Sequence, residues 1–368
     1  MSNTQLTIGI VGLPNVGKST LFNALTKKGV PAENYPFCTI DPSVGVVAVP
    51  DTRLDRLTNL SNSAKTVPAI VEFVDIAGLV KGASEGEGLG NQFLSHIREV
   101  DAIAQVVRMF DDEDVHHVAG EVDPARDIDI INLELVFADL DMVEKRIDRL
   151  ERDVKGGDKD IIAEHDVLQK ILPALHAGKS ARTVGLNEKE LLAIRSLHLL
   201  TMKPMLYVLN RKSGMVNVDA ENGDRYHALQ EFLASSNSSF VIVDAGVEQE
   251  LSDVHGDERA DFRRELGVAD GIESLIRAGY TLLDLISFFT TGKDETRAWT
   301  IPRGATAPIA GAAIHTAFRD KFIRAEVIQW DKLLEAGTFG KAREQGMLRI
   351  EGKEYVVQDG DVMEFLHS

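Results

Sequence analysis

Residues 12–19 read Gly12-Leu13-Pro14-Asn15-Val16-Gly17-Lys18-Ser19, directly after the apolar run Leu6-Thr7-Ile8-Gly9-Ile10-Val11. This is the strand–loop–helix form of G-x-x-x-x-G-K-[ST], a phosphate-binding loop. The spacing follows from the chemistry. Two glycines let the backbone curl until its N–H groups face phosphate oxygens, and the helix N-terminus beyond them favours the same charge. Lys18 supplies a point charge for the β- and γ-phosphates, and the Ser19 hydroxyl is placed to ligate Mg²⁺. Val16, Gly17 and Thr20 are expected to complete the cradle, and Leu21, Phe22 and Leu25 give the following helix an apolar face.

Outward from that loop, short apolar runs at 6–11, 69–74, 102–107, 205–209 and 240–243 alternate with helical stretches. Such alternation predicts a parallel α/β sheet covered by helices on both faces. Between the third and fourth strands lies an interruption too long for a connecting loop. Within it Leu133, Val136, Leu140, Val143, Ile147, Leu150 and Val154 repeat at spacings of three and four, a heptad seam. Lys155-Gly156-Gly157-Asp158 breaks the seam, and Ile161, Leu168, Leu172 and Leu175 resume it. The pattern predicts a coiled-coil-like helical hairpin, packed on itself and also available as a docking arm. After residue 285 the texture becomes a small α+β domain, with strands expected near 297–301, 325–328, 346–350 and 355–357 and a helix over 307–318.

Composition narrows the class. The 368 residues are 44% hydrophobic and 27% charged, in keeping with a globular protein of two or three domains. No run approaches a membrane span, and Met1-Ser2-Asn3-Thr4-Gln5 lacks a signal-peptide pattern. One cysteine, Cys38, allows no internal disulfide framework and suits a reducing cytoplasm. The net charge of −18 argues against binding nucleic-acid backbone, and no sequence-specific DNA recognition is expected. Residues 286–368 carry a net of only −1, so any RNA contact is better sought there.

A phosphate loop alone serves kinases, transporters and switches. Asp75-Ile76-Ala77-Gly78, at the end of the second apolar run, points to a switch. A carboxylate there can hold Mg²⁺ through water, and the Gly78 N–H can meet the γ-phosphate, so that following segments order with it. Thr39 sits in the intervening loop where switches place a second Mg²⁺ hydroxyl. The glycine-rich stretch 82–91 is unsuited to a stable helix and reads as a nucleotide-dependent lid.

These residues together resemble the Obg-like ATPase family, YchF subfamily. The phosphate loop, Tyr35-Pro36-Phe37-Cys38-Thr39-Ile40, Asp75 to Ser84, Arg297-Ala298-Trp299-Thr300-Ile301, Ile323-Arg324-Ala325-Glu326-Val327 and the terminal Gln358 to Met363 all fit its pattern, covering about residues 6–366. The resemblance implies a P-loop NTPase G domain over 1–127 and 201–285. It also implies an inserted helical coiled-coil domain over 128–200 and a TGS domain of ubiquitin-like β-grasp form over 286–368. It further implies hydrolysis of ATP, with GTP used less well, and a ribosome partner met through the large subunit or the whole particle.

The same resemblance bears on the base and on the chemistry. GTPases read guanine with Asn-Lys-x-Asp, whose Asp pairs with two ring donors, and the subfamily has Asn-x-x-Glu there. This chain has Asn210-Arg211-Lys212-Ser213. Without a carboxylate at position 213 those donors lose their partner, so guanine is no longer required. Asn210 is still expected to contact base or loop, and Arg211 to line the pocket through its backbone. Leu79 occupies the place of the glutamine that orients water in Ras-type switches and cannot do so. The resemblance assigns that role to His117, a residue chemically suited to it near neutral pH. Asn15 implies K⁺ beside the phosphates, acting like an arginine finger. A nucleotide-sensing module in translation or stress response, with incidental hydrolysis, is the alternative, and a small-molecule kinase is the remoter third.

Overall fold

A computed structural model describes residues 6–27, 29, 43–76, 91–112, 121–236, 238–254, 257–266 and 270–367. The first stretch contains β1 (Thr7–Val11), α1 (Lys18–Lys27), β2 (Val44–Ala48), α2 (Thr52–Ser61), β3 (Lys65–Val67), β4 (Ile70–Asp75), α3 (Asn91–Glu99) and β5 (Ala102–Arg108). There follow α4 (Pro124–Asp153), α5 (Lys159–His176), α6 (Glu188–Ile194), β6 (Met205–Asn210), α7 (Val218–Glu221) and α8 (Asp224–Ser235). Next come β7 (Ser239–Val243), α9 (Ala245–Leu251), α10 (Asp257–Leu266) and α11 (Gly271–Leu282). The last run holds β8 (Leu285–Thr291), β9 (Glu295–Pro302), α12 (Ala307–Ile314), α13 (Thr316–Asp320), β10 (Phe322–Gln329), α14 (Trp330–Ala336), α15 (Phe339–Glu344), β11 (Arg349–Glu351) and β12 (Asp361–His367).

The chain divides into two compact units. One comprises residues 7–24 and 73–271, the other 1–6, 25–72 and 272–368.

In the first unit β1, β5, β6 and β7 are parallel neighbours, with Ile8 opposite Ala102, Ile103 opposite Met205 and Leu206 opposite Ser239. Every residue of β5 and β6 is buried. Strands covered on both faces read as continuous apolar runs, which is why they were legible without alternation. The core beneath α4 and α8 gathers Val11, Ile76, Ile103, Val107, Leu209 and Leu229.

The helical insertion is also present. Asp123 caps α4 and Pro124 opens it, and the helix runs 30 residues. A 3₁₀ turn at Val154–Gly156 and the left-handed Gly157 end it, at the sequence break, and Asp158 caps α5. Val136, Val143, Ile147 and Leu150 pack against Val167, Leu168, Ile171 and Leu175. Leu133, the first residue of the predicted seam, lies outside this core and is 40% exposed.

The second unit is built on a sheet ordered β11-β10-β12-β8-β9-β3. α12 covers it through Ala307 and Ala310, against Phe288, Ile301, Phe322 and Val327. Several expectations need correction here. The helix expected over 307–318 is two, because His315 is extended and its Nδ1 caps the second by accepting from Ala317 N–H. Residues 355–357 make one isolated bridge, Val356 to Thr306, rather than a strand. β8 and β12 were not foreseen, nor was β3, which pairs in parallel with β9 from Lys65–Glu295 to Val67–Arg297. Among the described residues no helix is long and apolar enough to cross a membrane.

Candidate functional site

β1 ends with Ile10 and Val11 fully buried, and the chain turns at Gly12. A Cβ at Gly12 would lie 2.6 Å from the Val106 carbonyl oxygen, so the loop can approach β5 only without one. Asn15 takes a left-handed φ of 62°, which asparagine tolerates better than most residues. Gly17 follows at φ 95°. The loop then feeds directly into α1, whose first turn contains no acidic side chain. An anion therefore meets a helix N-terminus with no acidic side chain in its own first turn.

Lys18 folds back over the loop, its Nζ donating to the Leu13 carbonyl at 2.6 Å. Burial pulls its pKa from the usual 10.5 to about 8, while the carboxylate of Asp75 acts in the opposite sense. Asp75 closes β4 and is itself buried. The structure thus places Lys18, Ser19 and Asp75 at the adjoining ends of a loop, a helix and a strand. Val16 is buried, whereas Asn15 and Ser19 are exposed.

Asn210 joins this loop to the neighbouring strands. Its Nδ2 donates to the Val16 carbonyl at 2.8 Å, and its Oδ1 accepts from Ala245 N–H at 3.0 Å. A Cβ on Gly17 would sit 2.3 Å from that Nδ2. The second glycine of the motif is therefore demanded twice, by backbone angle and by this asparagine. Arg211 behaves differently: its N–H donates to the Val243 carbonyl and its guanidinium lies 3.5 Å from Asp219. With Leu209, Tyr226, Phe240 and Ile242 it lines a cavity of about 320 Å³ on the α8 side of the sheet.

Other groups were less visible in the sequence. Lys212 Nζ reaches Asp112 Oδ2 at 2.5 Å and lies 5.7 Å from the Phe110 ring. Met109 N–H donates to the Asn210 carbonyl and Asp111 N–H to that of Val216, so the loop after β6 is stitched to the segment after β5. Asn217 closes that loop on itself through Lys212 and Met215. Asp244 caps α9 and holds Ser213, a link that spacing alone does not reveal. Thr39, Gly78, Leu79, Cys38, His117 and the glycine-rich stretch 82–90 lie outside the described residues. Among the described residues no group of three or more His, Cys, Asp or Glu is gathered to hold a metal by itself.

A family profile described as a 50S ribosome-binding GTPase matches residues 7–137. A second, the YchF-type C-terminal region described as a protein of unknown function, matches 285–368. The chain is 51% identical over 361 residues to a Bacillus subtilis protein named ribosome-binding ATPase YchF, covering 98% of each. A Haemophilus influenzae protein of the same name is 52% identical over 359 residues, with 97% of this chain and 98% of that one aligned. The solved structure of the Schizosaccharomyces pombe YchF GTPase superposes with a TM-score of 0.89 at 38% identity, covering 100% of this chain and 99% of the other. Full-length similarity at this level, in sequence and in fold, has one meaning: the chain belongs to the YchF family.

Proposed function

We propose that this chain hydrolyses ATP with Mg²⁺ and uses the cycle to control its association with the ribosome, through the large subunit or the whole particle. The observation that carries the hydrolase reading is the phosphate cradle, with Gly12 and Gly17 at positive φ, Lys18 over the loop and Asp75 acting on it. Val16, Gly17, Lys18, Ser19 and Thr20 would hold the phosphates, with Gly78 at the γ-phosphate and Asn210 and Arg211 toward the base. The ribosome reading is supported by what the relatives are named and by the profile over residues 7–137.

The donor set fits Mg²⁺, since Ser19 offers a hydroxyl and Asp75 a carboxylate, both hard oxygens, with Thr39 a third. The nucleotide would supply the remaining oxygens, in keeping with a site that the protein alone does not complete. When bound, the cation neutralises charge on the phosphates. In this reading K⁺ sits at Asn15, His117 orients the attacking water, and the protein works in the cytoplasm. In the same reading residues 128–200 serve as a docking arm, 286–368 as a TGS domain, and 1–127 with 201–285 as the nucleotide domain.

Phosphate release with Mg²⁺ and ATP tests this, in K⁺ and in Na⁺. Lys18→Ala and Ser19→Ala should abolish turnover, and His117→Ala should slow it by about 10²-fold or more. Full turnover in His117→Ala would remove that residue from the mechanism, and full turnover in Lys18→Ala would remove the site. Co-sedimentation with ribosomes in ATP and in ADP tests the partner.

A further inference from the structure

The sequence places no carboxylate at position 213, yet the structure brings one to it. Asp244 directly follows β7, the strand beside β6, in which Val243 is in register with Asn210. Asp244 Oδ2 accepts from both Ser213 N–H at 2.6 Å and the Ser213 hydroxyl at 2.7 Å. Its Oδ1 accepts from Val247 N–H at 3.0 Å, which fixes the carboxylate on the first turn of α9. One residue on, Ala245 N–H is held by Asn210, and Asn210 also holds the phosphate loop. The Asp244–Ser213 pair is thus tied to the phosphate site by two consecutive residues.

This wiring fixes the polarity of the corner. Both Ser213 hydrogens point at Asp244, so the hydroxyl presents only lone pairs outward. The carboxylate adds further lone pairs and a negative charge. Ser213 is exposed and Asp244 half-buried, so a ligand can reach them. An acceptor-only corner matches an edge made of donors. Guanine carries two adjacent donors on its Watson–Crick edge, the N1–H and the C2 amino group. Adenine carries an amino group next to an N1 acceptor, which the carboxylate repels.

We propose that Asp244, reaching across from the β7–α9 connection, supplies the carboxylate with which this site reads a purine edge, so that guanine nucleotides remain ligands despite Ser213. The proposal rests on the nucleotide-site reading above, and it makes Asp244 and Ser213 specificity-determining residues within that site.

The test is titration calorimetry of the full chain with non-hydrolysable ATP, GTP and ITP analogues. In the unaltered protein the GTP analogue should bind within tenfold of the ATP analogue or tighter, with ITP, which lacks the amino group, weaker than GTP. Asp244→Asn keeps a capping oxygen and removes the charge. It should weaken GTP at least tenfold, as expected when donors lose a charged acceptor, and should not weaken ATP, whose N1 acceptor the charge no longer repels. The exchange Ser213→Asp with Asp244→Ser restores one carboxylate and one hydroxyl, and should recover GTP binding even if the single variant melts early. Equal losses for both nucleotides in Asp244→Asn, or an exchanged pair that binds GTP no better than Asp244→Asn, would overturn the proposal. Undiminished binding of all three analogues by Lys18→Ala would instead overturn the site reading beneath it.

Discussion

Asn210 and Gly17 are matched across 2.3 Å of missing side chain: the space a Cβ would occupy on the glycine is filled by the asparagine amide. That amide holds the Val16 carbonyl from one side and the Ala245 N–H from the other, so one buried side chain on β6 ties the phosphate loop to the start of α9. Replacing Asn210 by Ala leaves both backbone groups without their partner, at a cost of about 1–3 kcal/mol for each group that stays dry. Thermal melting should show the loss, and nucleotide titration should show weaker binding from a looser loop.

Gly17→Ala should be worse than its chemistry suggests, because left-handed strain of about 1–2 kcal/mol adds to the collision with Asn210. Gly214, at φ 79° with open space around it, carries the strain without the collision. Gly214→Ala should therefore cost only about 1–2 kcal/mol. In a double-mutant cycle Asn210→Ala should relieve part of the Gly17→Ala penalty, and strict additivity would refute the steric account.

The depressed Lys18 gives a pH signature. Between about 8 and the usual 10.5 the unfolded chain holds a proton that the folded, nucleotide-free protein does not. Stability from this group therefore rises with pH across that window. Nucleotide phosphates favour the ammonium, so binding takes up a proton there and affinity falls as pH climbs past about 8. Calorimetry in buffers of different ionisation enthalpy reads the uptake directly, and Lys18→Met should abolish it.

The helical arm should fail independently of the phosphate site. Leu168 is fully buried between α4 and α5, so Leu168→Ala should cost about 2–5 kcal/mol. Proteolysis should then cut within 124–200 while ATP titration of the remaining folded protein stays unchanged.

How much of this was legible follows from where each signal resides. The phosphate loop, β5, β6 and the arm announce themselves because a local rule, a motif or an unbroken apolar period, coincides with the tertiary need. Asp75 was readable for the same reason, being the polar end of an apolar run. β3 was not, since Lys65-Thr66-Val67 is short, half-polar and stabilised by β9 far along the chain. β12 was hidden behind the turn signal of Asp359-Gly360-Asp361. The Asp244–Ser213 pair was out of reach because two loops 31 positions apart meet only in the fold. Arg211, read as a backbone contact, has its N–H engaged by Val243, a consequence of register that composition does not encode.

The pairing of β3 with β9 also constrains how the chain is made. Ser63 and Thr296, 233 positions apart, share a 2.7 Å hydrogen bond at that seam. At about 5–20 residues per second of synthesis, the early segment emerges roughly ten to fifty seconds before its partner. Until then Leu54, Leu57 and Val67, all buried in the finished protein, have no C-terminal sheet to cover them. Residues 52–67, the segment of α2 and β3, must therefore wait on the nascent chain without their sheet until the last hundred residues arrive to close it.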